Sequence, residues 1–206
     1  LLQFQGENFC KLYEYSLEDK VYIMERIIPA DTLVMFNDFM NCNWAMPTYD
    51  RLVPLIDMAA EVGCEGFCID AGWSEAGEWD PFDDIFGEGG FKGIIDYIKS
   101  KGMRPGVWFE FERTTYNVVK QFGEDMIMHR NGNVVAHYRP KLDLSNPKAQ
   151  EWLMGKIKHV YDLGVRYIKN DQNNDERWGV NYHGESPVEG LRNKNKAFYE
   201  FIHKVY

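Results

Sequence analysis

Basic charge is scarce in this 206-residue chain: 23 Lys and Arg stand against 32 Asp and Glu, a net charge of −9, with no Lys/Arg run. Nucleic acid and anionic bilayers are both bound largely through clustered cations, so neither nucleic acid nor a membrane is an expected partner. No run of 18 apolar residues occurs, and a membrane-crossing helix needs about that length. The opening residues 1–6 lack the basic-then-apolar order of a secretory leader, and a cytoplasmic location is the expectation. Cysteine is sparse. Cys10, Cys42, Cys64 and Cys68 form neither a CxxC pair nor a zinc spacing, which reads as buried, reduced thiols. Neither GxGxxG nor GxxxxGK[ST] follows any strand-like run, so the nucleotide-binding doubly wound folds lack their fingerprint.

What is abundant is aromatic surface: 13 Phe, 12 Tyr and 6 Trp, within a composition that is 45% hydrophobic. That much buriable area excludes general disorder and supports a sizeable core. From about residue 31 onward, short apolar runs alternate with helical periodicity. Residues 33–37 read as a strand. Thr48 opens a helix with Pro54 in its early turns, a stripe of Leu52, Leu55, Ile56, Ala59 and Ala60, and Gly63 at its end. Residues 66–70 are a buried strand ending on a carboxylate. A helix over 91–100 turns Ile94, Ile95 and Ile98 inward, and residues 104–112 read as a third strand. The stretch 113–146 is irregular, with an Asn131-Gly132 hairpin signal. A helix over 147–163 starts on a proline and ends at Gly164; residues 165–171 are a fourth strand, and 192–205 a last helix.

Strand and helix repeated four times, with apolar strands, suit a parallel sheet covered by helices. A closed (β/α)8 barrel typically takes about 250 residues, so four units in this length amount to half of one. Polar residues gather where three of those strands end: Asp70, then Glu110 and Glu112, then Lys169 and Asp171. In a barrel those ends share one mouth, where active sites lie. Interleaved with Trp73, Trp79 and Trp108, the carboxylates point to a sugar site, with ring stacking and hydroxyl hydrogen bonds. No His accompanies them at ligand spacing, and neither a metal nor any other cofactor is expected.

At these residues the chain resembles the catalytic barrel of clan D glycoside hydrolases, in particular the family 36 α-galactosidases. Residues 64–73, Cys-Glu-Gly-Phe-Cys-Ile-Asp-Ala-Gly-Trp, are similar to the family's strand-two motif ending Asp-Asp-Gly-Trp, and Glu78-Trp79 to its following Asp-Trp. Residues 102–112 resemble Gly-Met-x-x-Gly-Leu-Trp-Phe-Glu-Pro-Glu. Leu142-Asp143-Leu144-Ser145 matches Leu-Asp-Leu-Ser, and residues 167–173 resemble Tyr-Ile-Lys-Trp-Asp-Met-Asn. The resemblance implies a (β/α)8 TIM-barrel fold of the α/β class, with about the first four β/α units in residues 31–206. Residues 1–30 resemble the tail of the β-sandwich domain that precedes the barrel, or a linker from it.

The implied activity is retaining hydrolysis of α-linked galactose-type sugars, with Asp171 as the nucleophile that forms a glycosyl-enzyme. Lys169, two residues earlier in an extended strand, faces the same side; its cation keeps the nucleophile ionised and binds sugar hydroxyls. Asp70 corresponds to the hydroxyl-accepting carboxylate and Trp108 to a pocket aromatic that Trp73 helps to shape. Arg139 corresponds to the arginine ahead of Leu-Asp-Leu-Ser, and Asn173 to the last residue of the nucleophile motif. Glu110 and Glu112 are either direct contacts or supports. Ala71 replaces the second Asp of the strand-two pair and Asn170 the aromatic before the nucleophile, which leaves the glycone open, N-acetylgalactosamine included. The family's general acid/base lies on a later strand, so the expected partner is the remainder of the same polypeptide or, as a homo-oligomer, a second copy. Two other classes compete: a non-catalytic galactoside-binding or self-associating half-barrel, and a carboxylate metal barrel.

Overall fold

Four apolar runs lie side by side in register, and that pairing determines where their polar ends come together. The computed structural model describes residues 2–5, 9–15, 21–26, 33–42, 46–130, 132–134, 136, 139–171 and 187–205. The chain divides into two units, Leu1–Val34 and Met35–Tyr206. In the first, β1 (Leu2–Gln5), β2 (Phe9–Tyr15) and β3 (Val21–Arg26) form an antiparallel sheet in that order, with Leu2 opposite Leu12 and Tyr15 opposite Val21.

The second unit is built on a parallel sheet. Its strands are β4 (Met35–Asn37), β5 (Gly66–Ile69), β6 (Arg104–Phe109) and, after a short hairpin of β7 (His129–Arg130) with β8 (Asn133–Val134), β9 (Tyr167–Asn170). They pair in the order β4-β5-β6-β9, with Asn37 beside Cys68, Ile69 beside Val107 and Phe109 beside Asn170. Parallel strands need long crossovers, and helices supply them. α1 (Phe39–Cys42) and α2 (Tyr49–Glu61) join β4 to β5, and α3 (Gly90–Ser100) joins β5 to β6. α4 (Tyr116–Phe122) and α5 (Pro147–Leu163) lie between β6 and β9, and α6 (Pro187–Val205) follows β9.

Each long helix buries the face its periodicity marks: Leu52, Ile56 and Ala59 in α2, Phe91, Ile94, Ile95 and Ile98 in α3, Ala149, Leu153, Ile157 and Val160 in α5. Each fully buried Leu, Ile, Val or Phe side chain stabilises by about 1.5–3 kcal/mol, so these stripes hold the helices to the sheet. The caps are local. Asn146 accepts from the Lys148 N–H at 2.9 Å to start α5, and Gly164 ends it at φ +113°, where an added Cβ would lie 3.1 Å from Ile95 Cγ2.

Several boundaries differ from the pattern reading, β9 among them, which spans Tyr167–Asn170 rather than 165–171. β4 begins at Met35, leaving Val34 58% exposed. β6 ends at Phe109, because the chain turns there: the Arg113 N–H donates to the Glu110 carbonyl at 3.1 Å, and Asn170 Oδ1 accepts from the Phe111 N–H at 3.0 Å. α6 starts at Pro187, since proline sits readily in a helix's first turn and a single Gly190 within the helix is tolerated. The irregular stretch has its own order: the Asn-Gly signal falls on the β7–β8 hairpin, where Gly132 has φ +77°. Bridges from Arg113 to Lys141 and from Ile127 to Leu142 bring the segment back toward the end of β6.

Candidate active site

The register places the residues that follow the four strands along one edge of the sheet. Asp70, next after β5, is 3% exposed, and both of its carboxylate oxygens accept hydrogen bonds within the protein. Oδ2 accepts from Asn37 Nδ2 at 2.8 Å and from Lys169 Nζ at 2.7 Å, and Oδ1 accepts from the Ala71 N–H at 2.8 Å. Burial alone would lower the Lys169 ammonium, but the Asp70 hydrogen bond and the charges of Asp70 and Asp171 outweigh it and hold the group above the usual lysine range. Beneath this pair lies Asp38, also buried, whose Oδ1 accepts from the Asp70 N–H at 2.6 Å. Burial pushes the Asp38 carboxyl up to about 6, against the hydrogen bonds it accepts from the Asp70 backbone and from Cys42.

Asp171 follows β9, and its N–H donates to the Phe109 carbonyl at 2.8 Å, which fixes the backbone against β6. Its Oδ2 accepts from Trp108 Nε1 at 3.0 Å. Trp108 is itself held: Trp73 Nε1 donates to its carbonyl at 2.8 Å, and Trp79 meets its ring edge-on at 5.6 Å. Arg139 reaches the same edge from the irregular segment, and its Nη2 forms an ion pair with Glu110 Oε2.

These side chains surround a cavity of about 590 Å³, lined among others by Asp70, Trp108, Glu110, Arg139, Lys169 and Asp171. That volume lies within the range of small-molecule sites. Carboxylates, an ammonium, a guanidinium and an indole face around one space suit a ligand that both donates and accepts hydrogen bonds along an apolar ring face, as a sugar does. Among the described residues, no three His, Cys, Asp or Glu side chains gather as a cation site would require. No helix there is long and apolar enough to cross a membrane.

Of the residues singled out in the sequence, Asp70, Trp108, Glu110, Arg139, Lys169 and Asp171 come together at this cavity. Trp73 does not line it. Its ring is fully buried against Trp79, Phe91 and Phe109, and it acts on the site through the Trp108 carbonyl. Asn173 lies outside the described residues. Glu112 turns away from the cavity and pairs with Lys194 of α6 at 3.1 Å in a buried contact. Asn37, Asp38 and Phe39 were not singled out, although the first strand also ends on polar residues. The rule applied to the other three strands marks Asn37 and Asp38 as well. The thiols of Cys42 and Cys68 are free and buried, and burial pushes both up to about 12.

Fold and site together define an α/β protein with a parallel sheet, similar to galactosidase catalytic domains, that carries its polar cavity at the C-terminal strand ends. The melibiase family model matches residues 10–206, and the chain belongs to the melibiase family. The α-galactosidase Mel36A of Lactobacillus acidophilus is 27% identical over 168 residues, 73% of this chain and 23% of its own length. The α-galactosidase of Thermus thermophilus, solved with p-nitrophenyl α-D-galactopyranoside, superposes with a TM-score of 0.67 at 24% identity, over 84% of this chain and 36% of that one. The GH36 α-galactosidase AgaB of Geobacillus stearothermophilus superposes with a TM-score of 0.68 at 18% identity, over 84% and 25% of the two chains. The chain thus spans about a quarter of the length of the curated relatives it matches.

Proposed function

We propose that this chain carries the first four β/α units of a (β/α)8 barrel in a retaining α-galactosidase, with residues 1–30 as the tail of a preceding β-sandwich domain. The observation that carries the reading is the convergence of Asp171, bound by Trp108 Nε1, and the Lys169–Asp70 pair on one cavity. Asp171 attacks the anomeric carbon as the glycosidic C–O bond breaks, giving a covalent glycosyl-enzyme. The departing oxygen takes its proton from a carboxyl group that lies outside this chain, and water then releases the sugar with retention. Lys169 and Asp70 bind ring hydroxyls, Trp108 both lines the cavity and orients the nucleophile, and Arg139 supplies a further donor. The remainder of the same polypeptide closes the sheet and completes the wall.

The test is release of phenol from an aryl α-galactoside by the complete encoded polypeptide. A good leaving group needs little acid assistance, so its departure reports chiefly on the nucleophile. Turnover in the unsubstituted protein and none in Asp171→Asn is the expected result. Equal rates in the two proteins would remove Asp171 from the mechanism, and binding of galactosides without any turnover would favour a non-catalytic role.

A further inference from the structure

Asn170 is the last residue of β9 and immediately precedes Asp171. Side chains alternate along an extended strand, so Lys169 and Asp171 are directed to the cavity and Asn170 to the opposite side. Its amide oxygen accepts from the Phe111 N–H at 3.0 Å. Phe111 lies beyond β6, which ends at Phe109, in the turn closed by the Arg113 N–H on the Glu110 carbonyl. The contact therefore joins the residue before Asp171 to the loop that continues the neighbouring strand.

The register shows what this bond does. Phe109 stands beside Asn170, and the Asp171 N–H donates to the Phe109 carbonyl at 2.8 Å, one step past the last paired residues. In a parallel ladder, a residue that donates to one position of its neighbour accepts, through its own carbonyl, from the residue two positions on. That next donor is the Phe111 N–H, and the Asn170 side chain receives it. A side-chain rung thus prolongs the β6–β9 pairing past the point where the chain turns.

Several groups at the site depend on that rung. Asp171 is held through its own N–H on Phe109 and through its predecessor on Phe111, and its Oδ2 meets Trp108 Nε1 at 3.0 Å. Glu110 sits between Phe109 and Phe111, both tied to β9, and pairs with Arg139. Beyond the turn, the Thr114 N–H donates to the Pro140 carbonyl at 3.1 Å and the Leu142 N–H to the Glu112 carbonyl at 3.0 Å. Those bonds attach the segment that carries Arg139 to the same loop. Without the rung, the loop is free to shift relative to Asp171, and a misplacement of about 1 Å can cost about a hundredfold in rate.

Resting on the reading of Asp171 as the nucleophile, we propose that Asn170 is a positioning residue for the glycosylation step. Its side-chain oxygen, through the Phe111 N–H, sets the place of Asp171 relative to the Glu110–Arg139 pair across the cavity.

The test is a time course of covalent labelling. The complete encoded polypeptide is incubated at neutral pH with a fluorinated α-galactosyl fluoride whose adduct is released slowly, and the gain in protein mass is followed. In labelling, a carboxylate oxygen bonds to the anomeric carbon as the C–F bond breaks and fluoride departs. The rate reports the placement of the nucleophile, whereas the final stoichiometry reports the fraction of molecules that are folded. Asn170→Leu, close in size but without an acceptor, is expected to reach the stoichiometry of the unsubstituted protein about ten- to a hundredfold more slowly. Asn170→Asp, which keeps an oxygen in the same place, should recover most of the rate. An unchanged rate in Asn170→Leu, a lower stoichiometry at an unchanged rate, or an Asn170→Asp as slow as Asn170→Leu overturns the proposal and leaves the galactosidase reading standing. No labelling of Asp171 in the unsubstituted protein overturns both. If Asn170→Leu does not fold, Asn170→Ala is read in the same way. Folding of neither variant assigns the side chain to the fold and overturns the proposal.

Discussion

Lys169 Nζ lies 2.7 Å from Asp70 Oδ2, although Lys169 belongs to β9, Asp70 follows β5, and β6 lies between those two strands. The contact therefore spans the sheet edge above β6 and joins the second strand of the parallel sheet to the fourth. Replacing Lys169 by Met removes the cation from a carboxylate that is 4% exposed and retains its bonds to Asn37 and the Ala71 N–H. A hydrogen bond between charged groups contributes about 1.5–3 kcal/mol, and the partial exposure of Lys169 places the pair toward the lower end. The expected outcome is a rise in KM for an aryl α-galactoside of about tenfold or more, measured by steady-state kinetics. An unchanged KM would assign the pair to the fold alone.

Trp108→Phe separates the ring from its hydrogen bond. A phenyl ring still packs against Trp79, but Asp171 Oδ2 loses the indole N–H that donates to it at 3.0 Å. Donors to ionised carboxylates contribute about 1.5–3 kcal/mol, so kcat/KM should fall about ten- to a hundredfold while the melting temperature changes little. A variant as active as the parent would show that this hydrogen bond does not support the reacting carboxylate.

The pH dependence of stability has a sign set by Asp38. Its native pKa of about 6 is above the ordinary 3.8, so between those values the native state holds a proton that the unfolded chain releases. The group's contribution is fully present below about pH 4 and is lost as pH rises through about 6, a loss on the order of 3 kcal/mol. Glu110 and Glu112 are raised as well and act in the same direction, which makes the difference between two proteins the informative quantity. Melting temperatures of the parent and of Asp38→Asn across pH 4–7 should diverge over this window, with the parent falling more steeply. Parallel curves would contradict the burial argument.

The alternation of strand and helix is legible in the sequence because period-two and period-3.6 patterns are local, and glycines at 63, 102 and 164 punctuate them. The placement of Asp70, Trp108, Lys169 and Asp171 follows from the same patterns, since parallel strands in register align their carboxyl ends. What sequence does not state is which partner each group takes. Spacing puts Lys169 on the side of Asp171, but its bond to Asp70 depends on a register set 99 residues away. Apart from its Asn-Gly hairpin, the course of residues 113–146 is illegible for a similar reason, because its order comes from long-range bridges such as Arg113 to Lys141 rather than from any repeat. Trp73 and Trp108 both read as aromatics of the sugar pocket in the sequence; both are buried, and only packing separates Trp108, which lines the cavity, from Trp73, which does not.

The most direct test of the account is to trap the covalent intermediate. The complete encoded polypeptide would be incubated with a fluorinated, slowly released α-galactosyl donor, digested with trypsin and analysed by tandem mass spectrometry. The account predicts the sugar mass on the peptide spanning residues 170–177, localised to Asp171 rather than Asp175. An adduct on any other carboxylate, or turnover of the donor with residues 170–177 unmodified throughout, would contradict it.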